Sequence, residues 1–86
     1  MLEKEIKNKI IKTMELSLEK SNEDKNTIFV NFSGHSECLE VYIFKKGWQP
    51  KNKPSFRKMI FFGNHTTEEN IKMLDEIIEK LNKLKI

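Results

Sequence analysis

The chain has 86 residues, 37% apolar and 34% charged, with a formal net charge of +3. This length predicts a single domain spanning residues 1–86 and excludes an enzyme with a cleft between two domains. The chain has one cysteine, and no apolar run approaches the roughly 18–20 residues that cross a bilayer. Its N-terminus is charged, unlike a signal peptide. Together these features predict a cytoplasmic protein that does not associate with membranes.

The first predicted element is a helix over residues 2–20. Leu2, Ile6 and Ile10 recur at helical spacing and continue to Thr13, with further apolar residues alongside, and neither Gly nor Pro interrupts the row. Residues 21–26 are polar and predict a connection between this helix and the next element.

Two strands are predicted next, over residues 27–33 and 38–44. Both alternate in the manner of half-buried strands and are rich in β-branched and aromatic residues. The short turn between them, which includes Gly34 and His35, indicates an antiparallel hairpin. After a longer connection over residues 45–54, residues 55–62 are predicted to form a third strand.

The connection and the start of the third strand contain an unusual basic segment, residues 45–58. It carries six basic residues and no acid, so the rest of the chain has a net charge of −3. The six are Lys45, Lys46, Lys51, Lys53, Arg57 and Lys58. The segment also holds Trp48, the only tryptophan. Cations with an aromatic side chain could neutralise phosphates and stack on a base, whereas the plainer interpretation is a solvated loop.

The last element is a helix that begins after Thr66. The run from Thr66 to Glu69 fits a capping box, in which each side chain bonds the other residue's backbone N–H. An apolar stripe continues from there at helical spacing, formed by Ile71, Leu74, Ile77, Ile78 and Leu81. The sequence therefore predicts an α+β fold with the order α-β-β-β-α, in which two helices pack on one face of a three-stranded antiparallel meander.

Strand alternation divides the predicted sheet into a covered face and an open face. The covered face and the helices predict this core: Ile6, Ile10, Ile28, Val30, Phe32, Leu39, Val41, Ile43, Ile60, Phe62, Ile71, Leu74, Ile77, Ile78 and Leu81. The open face carries Phe29, Tyr42, Phe44 and Phe61. So many aromatic rings on an open face indicate a surface that binds a protein partner or a second copy of the chain, with Trp48 as a further candidate. Ordinary strand propensity is the alternative explanation.

Catalytic chemistry has little support in the sequence. His35 lies close to Ser36 and Cys38, but a nucleophile and its base are normally distant in sequence and brought together by the fold. His65 could join His35 in a metal site, although two histidines are a weak ligand set. We expect no enzyme activity, cofactor, metal or small-molecule substrate, since phosphate loops, dinucleotide turns and paired carboxylates are missing and the chain has little room for a pocket.

The α-β-β-β-α order on a basic chain is similar to that of the double-stranded RNA-binding domain. Gly34 and His35 fall in the loop where members of that family often carry a glycine and a histidine. The family places lysines at the start of its last helix, whereas this chain has acids there, Glu68 and Glu69. Because these acids would repel a phosphate backbone, the departure counts against binding of duplex RNA.

A more local pattern runs over about residues 28–48. Ser33-Gly34-His35, Leu39-Glu40-Val41 and Gly47-Trp48 together resemble a pattern in small uncharacterised proteins of phages and prophages of Gram-positive bacteria. The resemblance implies an origin in a mobile element and no assigned activity. The sequence thus predicts a non-catalytic interaction protein that binds a protein partner or itself through the sheet face or the basic segment. The alternative is a nucleic-acid-binding module that uses the basic segment with Trp48.

Overall fold

The computed structural model describes residues 2–22 and 25–85 and confirms the predicted α+β order. Helix α1 spans Lys4–Lys20 and is followed by strands β1 (Thr27–Ser33), β2 (Cys38–Phe44) and β3 (Phe56–Phe61), a short 3-10 turn (Phe62–Asn64) and helix α2 (Thr67–Asn82). Two residues of the predicted connection after α1, Glu23 and Asp24, lie outside the described residues.

The three strands form an antiparallel meander in the order β1-β2-β3. Strand β3 is one residue shorter than predicted at each end, and the residues just outside it still hydrogen-bond to the neighbouring chain segments. The backbone N–H of Ser55 donates to Ile43 O over 2.8 Å, and its hydroxyl donates to the same oxygen over 2.9 Å. The backbone N–H of Phe62 donates to Glu37 O in the β1–β2 turn over 3.1 Å, where the 3-10 turn begins.

The two helices run parallel to each other. Contacts near their starts, middles and ends show this: Thr67 Oγ1 donates to Glu3 Oε1 over 2.8 Å, Lys9 Nζ lies 2.5 Å from Asp75 Oδ1, and Lys20 Nζ donates to Leu84 O over 2.9 Å. Helix α1 lies on the β1 side and α2 on the β3 side. Both helices therefore begin at one end of the sheet and finish at the other.

The core lies between the helices and the covered face of the sheet. It consists of Ile6, Leu16, Leu39, Val41, Ile43, Ile60, Phe62, Leu74, Ile77, Leu81 and Leu84. The predicted positions Ile10, Ile28, Val30, Ile71 and Ile78 are only partly buried. Phe32, also predicted to be buried, is 41% exposed. Phe32 lies on an edge strand, so its ring has cover from neighbouring elements on one side only.

The buried face of helix α1 agrees with the expected row at Ile6 and Thr13 and extends to two further residues. Its buried positions are Ile6, Thr13, Leu16 and Ser17. The hydroxyls of Thr13 and Ser17 donate to the carbonyl oxygens four residues earlier, over 2.9 and 2.8 Å, so these polar side chains are satisfied inside the helix. Met14 and Leu18 are exposed instead. Helix α1 packs mainly against α2, and these two apolar residues lie on its outer side.

Candidate nucleic-acid interface

Separate segments of the chain meet at the end of the sheet where both helices finish. The backbone N–H of Gly47 donates to Lys25 O over 3.0 Å, which joins the segment after β2 to the residues before β1. Asn26 Nδ2 donates to Lys85 O over 2.7 Å, which joins the same residues to the C-terminal segment. These bonds collect six lysines at what we call the basic end: Lys25, Lys45, Lys46, Lys53, Lys83 and Lys85.

Gly47 sets the direction in which the chain leaves β2. Its φ of 82° lies in the left-handed region, which residues with a Cβ adopt only with strain. The residue is buried, and its N–H is the donor in the bond to Lys25. The basic segment is thus attached to the rest of the basic end at a position that requires glycine.

Two shallow depressions lie among these lysines. One, of about 450 Å³, is lined by Phe44, Lys45, Lys46, Gly47, Asn52, Lys53 and Ser55. The other, of about 400 Å³, is lined by Lys25, Asn26, Lys45, Lys83, Leu84 and Lys85. Lys45 borders both. Among the described residues no carboxylate lines either depression, but Lys83 Nζ lies 2.9 Å from Glu79 Oε1 beside the second one. The cations that line the first depression face concave space that an anion could enter.

An aromatic cluster adjoins the first depression. The rings of Phe29 and Phe44 meet edge to face with their centroids 5.7 Å apart, and Trp48 meets Phe29 at 6.5 Å. Trp48 is 51% exposed and Phe29 is also exposed. The sequence predicts Phe44 on the open surface, but it is 8% exposed, since Phe29 packs against it and the segment after β2 returns past it. Phe44 therefore supports the cluster from below and is not a contact surface.

Polar side chains lie in the middle of the open sheet face, beside Met59, which pairs with Glu40 and is 36% exposed. Tyr42 Oη donates to Glu40 Oε2 over 2.5 Å, and the Arg57 guanidinium lies 5.4 Å from the centre of the Tyr42 ring. The bond to Glu40 is the main cause that raises the pKa of Tyr42, and Arg57 opposes it. This row separates the aromatic cluster from Phe61, which is exposed at the far end of the face, opposite Cys38 in the sheet.

The six basic residues proposed from the sequence do not form one ridge. Lys45, Lys46 and Lys53 converge on the first depression, whereas Lys51 is exposed in the connecting segment outside its lining. Arg57 lies on the open face with Tyr42. Lys58 points to the helix-covered side, where its Nζ is 3.6 Å from Glu76 Oε2.

The residues weighed for catalysis lie at the other end of the sheet, where Cys38 begins β2. Cys38 is buried; burial first, and then the charge of Glu40, raise the pKa of its thiol. A raised pKa keeps the thiol protonated, the opposite of a reactive thiolate. His65 lines a small depression of about 150 Å³ with Glu37, while His35 is exposed in the β1–β2 turn and is not part of that lining.

Neither a metal cluster nor a membrane-spanning helix occurs in the described residues. Within residues 2–22 and 25–85, no three His, Cys, Asp or Glu side chains come together in a way that could hold a metal ion. No helix in that part of the chain has the length and apolar character needed to cross a bilayer.

Sequence reasoning missed half of the lysines at the basic end. Lys25, Lys83 and Lys85 belong to chain segments whose own charge is nearly balanced or negative, so no local excess of cations marks them. The one available signal was the lysine-rich end of the last helix, which is also explained by the helix macrodipole.

Comparisons with protein-family models, with curated proteins and with solved structures gave no match. A function must therefore be inferred from this chain's own residues.

Proposed function

We propose that the protein is a non-catalytic module that binds single-stranded nucleic acid at its basic end, with little preference for sequence. The observation that carries the proposal is the convergence of Lys45, Lys46 and Lys53 on one open depression beside the exposed ring of Trp48. Proteins that bind single strands combine a positively charged groove along the backbone with aromatic side chains on which bases stack. Both parts are present here within one segment.

The aromatic cluster favours a single strand over a duplex. A base can stack on Trp48 or Phe29 only if its face is free, and paired bases hide their faces within the helix. The acids at the start of α2 also count against the duplex RNA interface of the family with similar topology. The carboxylate of Glu69 caps this helix, and its Oε1 accepts a hydrogen bond from the Thr66 N–H over 2.8 Å.

The amino-acid types at the basic end favour binding without sequence preference. Lysine contacts phosphate as a point charge, whereas bidentate recognition of base edges commonly uses arginine. Arg57 is the chain's one arginine, and it lies on the Tyr42 ring away from the depression. Glu40 at the middle of the sheet face would repel phosphates, so we expect the strand to stay at the basic end.

A protein partner or second copy bound through the open sheet face or the basic segment, the leading expectation from the sequence, stays a prediction. Protein interfaces are depleted of charged residues at their centre. The centre of this face holds Glu40, Tyr42 and Arg57, and the exposed aromatic rings lie on either side of that row. The arrangement favours the basic end over the sheet face as the main binding surface.

The test is fluorescence anisotropy of a labelled oligothymidine titrated with the protein at several salt concentrations. Three phosphate contacts predict a slope of about −2 for log affinity against log salt on a single strand. Replacing Lys45, Lys46 and Lys53 by Gln should weaken binding at least about 10-fold and make the slope shallower by about 2.

The matched control replaces three exposed lysines on the helices, Lys4, Lys12 and Lys72, by Gln. Both triple variants lose the same charge, so a general effect of net charge would weaken both equally. Retained binding in the control and lost binding in the test variant would support the proposal. Equal losses in both, or wild-type binding that is absent at low salt or unaffected by salt, would contradict it.

A further inference from the structure

Helix α1 carries an apolar row on the side away from the core. Ile11, Met14 and Leu18 are spaced three and four residues apart, so they lie on one face of the helix. All three are exposed, and Leu18 is 76% exposed. Helix α1 lies on the side of edge strand β1, and none of these three residues lines a depression of the basic end.

An apolar groove lies two helical turns before Leu18 on the same side of the molecule. It has a volume of about 340 Å³ and is lined by Leu2, Lys7, Ile10, Ile11 and Phe32. The exposed ring of Phe32 at the edge of the sheet forms part of its wall. The helix therefore presents a protruding leucine and an apolar groove along one line.

A second copy of the chain fits this arrangement. If two α1 helices lie antiparallel about a twofold axis near Met14, Leu18 of each copy falls opposite the groove of the other, and both contacts form at once. A protrusion and a matching recess on one face are what a symmetric interface requires, since each surface must complement itself.

The charges beside the apolar row also suit an antiparallel pair. The exposed lysines Lys4 and Lys7 lie near the start of α1, and the exposed acids Glu15 and Glu19 lie near its end. Antiparallel packing about Met14 brings Lys7 of one copy within about one turn of Glu19 of the other, whereas parallel packing would place like charges together.

We propose that the chain forms a symmetric dimer through α1, with Leu18 of each copy seated in the groove beside Phe32 of the other. The interface is separate from the basic end and does not depend on the proposed binding of nucleic acid. The apolar patch is small beside the roughly 800 Å² that each partner buries in a standard interface, so the dimer should be weak and depend on concentration.

Sedimentation equilibrium on the full chain tests the dimer. Between about 10 µM and 1 mM, the range suited to a small interface, the wild-type mass should rise from 10.2 kDa towards twice that value. Leu18→Lys should keep the mass at that of one chain, because it places a charge in the apolar groove next to the partner's Lys7. Since Leu18 is mostly exposed, this variant should fold normally.

Met59→Lys is the matched control. Met59 is 36% exposed on the open sheet face, and the substitution introduces the same residue with the same change of charge. We expect this variant to dimerise like the wild type. A wild-type chain that stays monomeric up to about 1 mM would overturn the proposal and leave the face for a different protein. Dimerisation of Leu18→Lys, or its loss in Met59→Lys, would also overturn it.

A charge exchange tests the antiparallel geometry. Lys7→Glu should weaken the dimer several-fold by facing the partner's Glu19, and the double variant Lys7→Glu, Glu19→Lys should restore it. The two positions are about 18 Å apart along one helix, so restoration must come from contacts between copies. A double variant no stronger than Lys7→Glu alone would contradict the antiparallel arrangement.

Discussion

The two ends of the sheet use their polar groups in opposite ways. At the end where both helices begin, the side chains of Thr66, Glu69 and Asn70 bond backbone groups, and Thr67 bonds Glu3. At the basic end, Lys45, Lys46 and Lys53 line an open depression. We call the first the capped end. Its polar groups stabilise the fold, whereas the three lysines of the basic end border space that an anion can enter.

The direction of the helices accounts for much of this difference. Parallel helices place two N-termini at the capped end, where exposed N–H groups favour acids and caps, and two C-termini at the basic end, where cations are favoured. A separation of charge along the molecule results from this topology, and the basic segment adds to it. Substitutions that affect stability should therefore be concentrated at the capped end, and those that affect binding at the basic end.

The largest expected effect on stability comes from Asn70 at the capped end. Asn70 is 3% exposed, and its Nδ2 donates to Phe62 O over 3.0 Å. Asn70→Ala leaves that carbonyl without its partner in the interior and should lower the free energy of unfolding by about 2 kcal/mol. Urea denaturation measures the change. Asn82→Ala, exposed on the same helix, should stay within about 0.5 kcal/mol of the wild type.

Substitutions at Trp48 and Phe61 test which end of the sheet binds the nucleic acid. Both are exposed aromatic residues, but Trp48 lies at the basic end and Phe61 at the capped end. Trp48→Ala should weaken the binding of oligothymidine about 10-fold, the loss of one stacked base, and Phe61→Ala should leave it unchanged. Anisotropy titrations decide between the ends. A larger loss for Phe61→Ala would place the strand on the far side of the sheet face.

Replacing one glycine at each end by Ala tests the backbone, with Gly47 at the basic end and Gly63 at the capped end. Ala at Gly47 must adopt a positive φ and should cost about 1 kcal/mol, with weaker binding because the basic segment shifts. A Cβ added at Gly63 meets no atom within 4 Å, and we expect Gly63→Ala to have little effect on either property. Thermal denaturation and the same titrations measure both. Equal destabilisation by the two substitutions would contradict the role given to Gly47.

The smallest effect is a pH dependence at the capped end. Hydrogen bonds from Thr66 lower the pKa of Glu69 below its ordinary value of 4.5. The carboxylate therefore stabilises the fold fully above about pH 4.5, and this contribution is lost as the pH falls through the lowered pKa. Urea denaturation from pH 7 to pH 3 should show the advantage of wild type over Glu69→Gln shrinking with acidity. Glu68→Gln on the same turn controls for the loss of charge.

The sequence predicts the elements well because their signals are local. The strands alternate over seven residues, and Thr66 with Glu69 satisfies a helix start within four residues, as the capping box confirms. The limits of β3 are less well predicted. Alternation continues through Ser55 and Phe62, whereas the strand spans Phe56–Phe61 and a 3-10 turn begins at Phe62, so both limits were placed one residue too far out.

The exposure of side chains in the sheet is another property that local pattern does not predict. Alternation assigns Phe32 to the covered face and Phe44 to the open face, and both assignments hold. Their exposure is nevertheless reversed, with Phe32 at 41% and Phe44 at 8%. What covers a residue depends on its neighbours in space: Phe32 lies at the edge of the sheet, whereas Phe29 and the segment after β2 cover Phe44.

By itself, the sequence determined the fold class, the hairpin, the capped helix start and the basic segment with Trp48, since each is encoded in neighbouring residues. The tertiary structure decided which cations act together. It brought Lys25, Lys83 and Lys85 to Lys45, directed Lys58 to an acid on α2, and turned Leu18 outward. The physical reason is that charge and exposure act through distances in space, which chain topology sets and local pattern does not record.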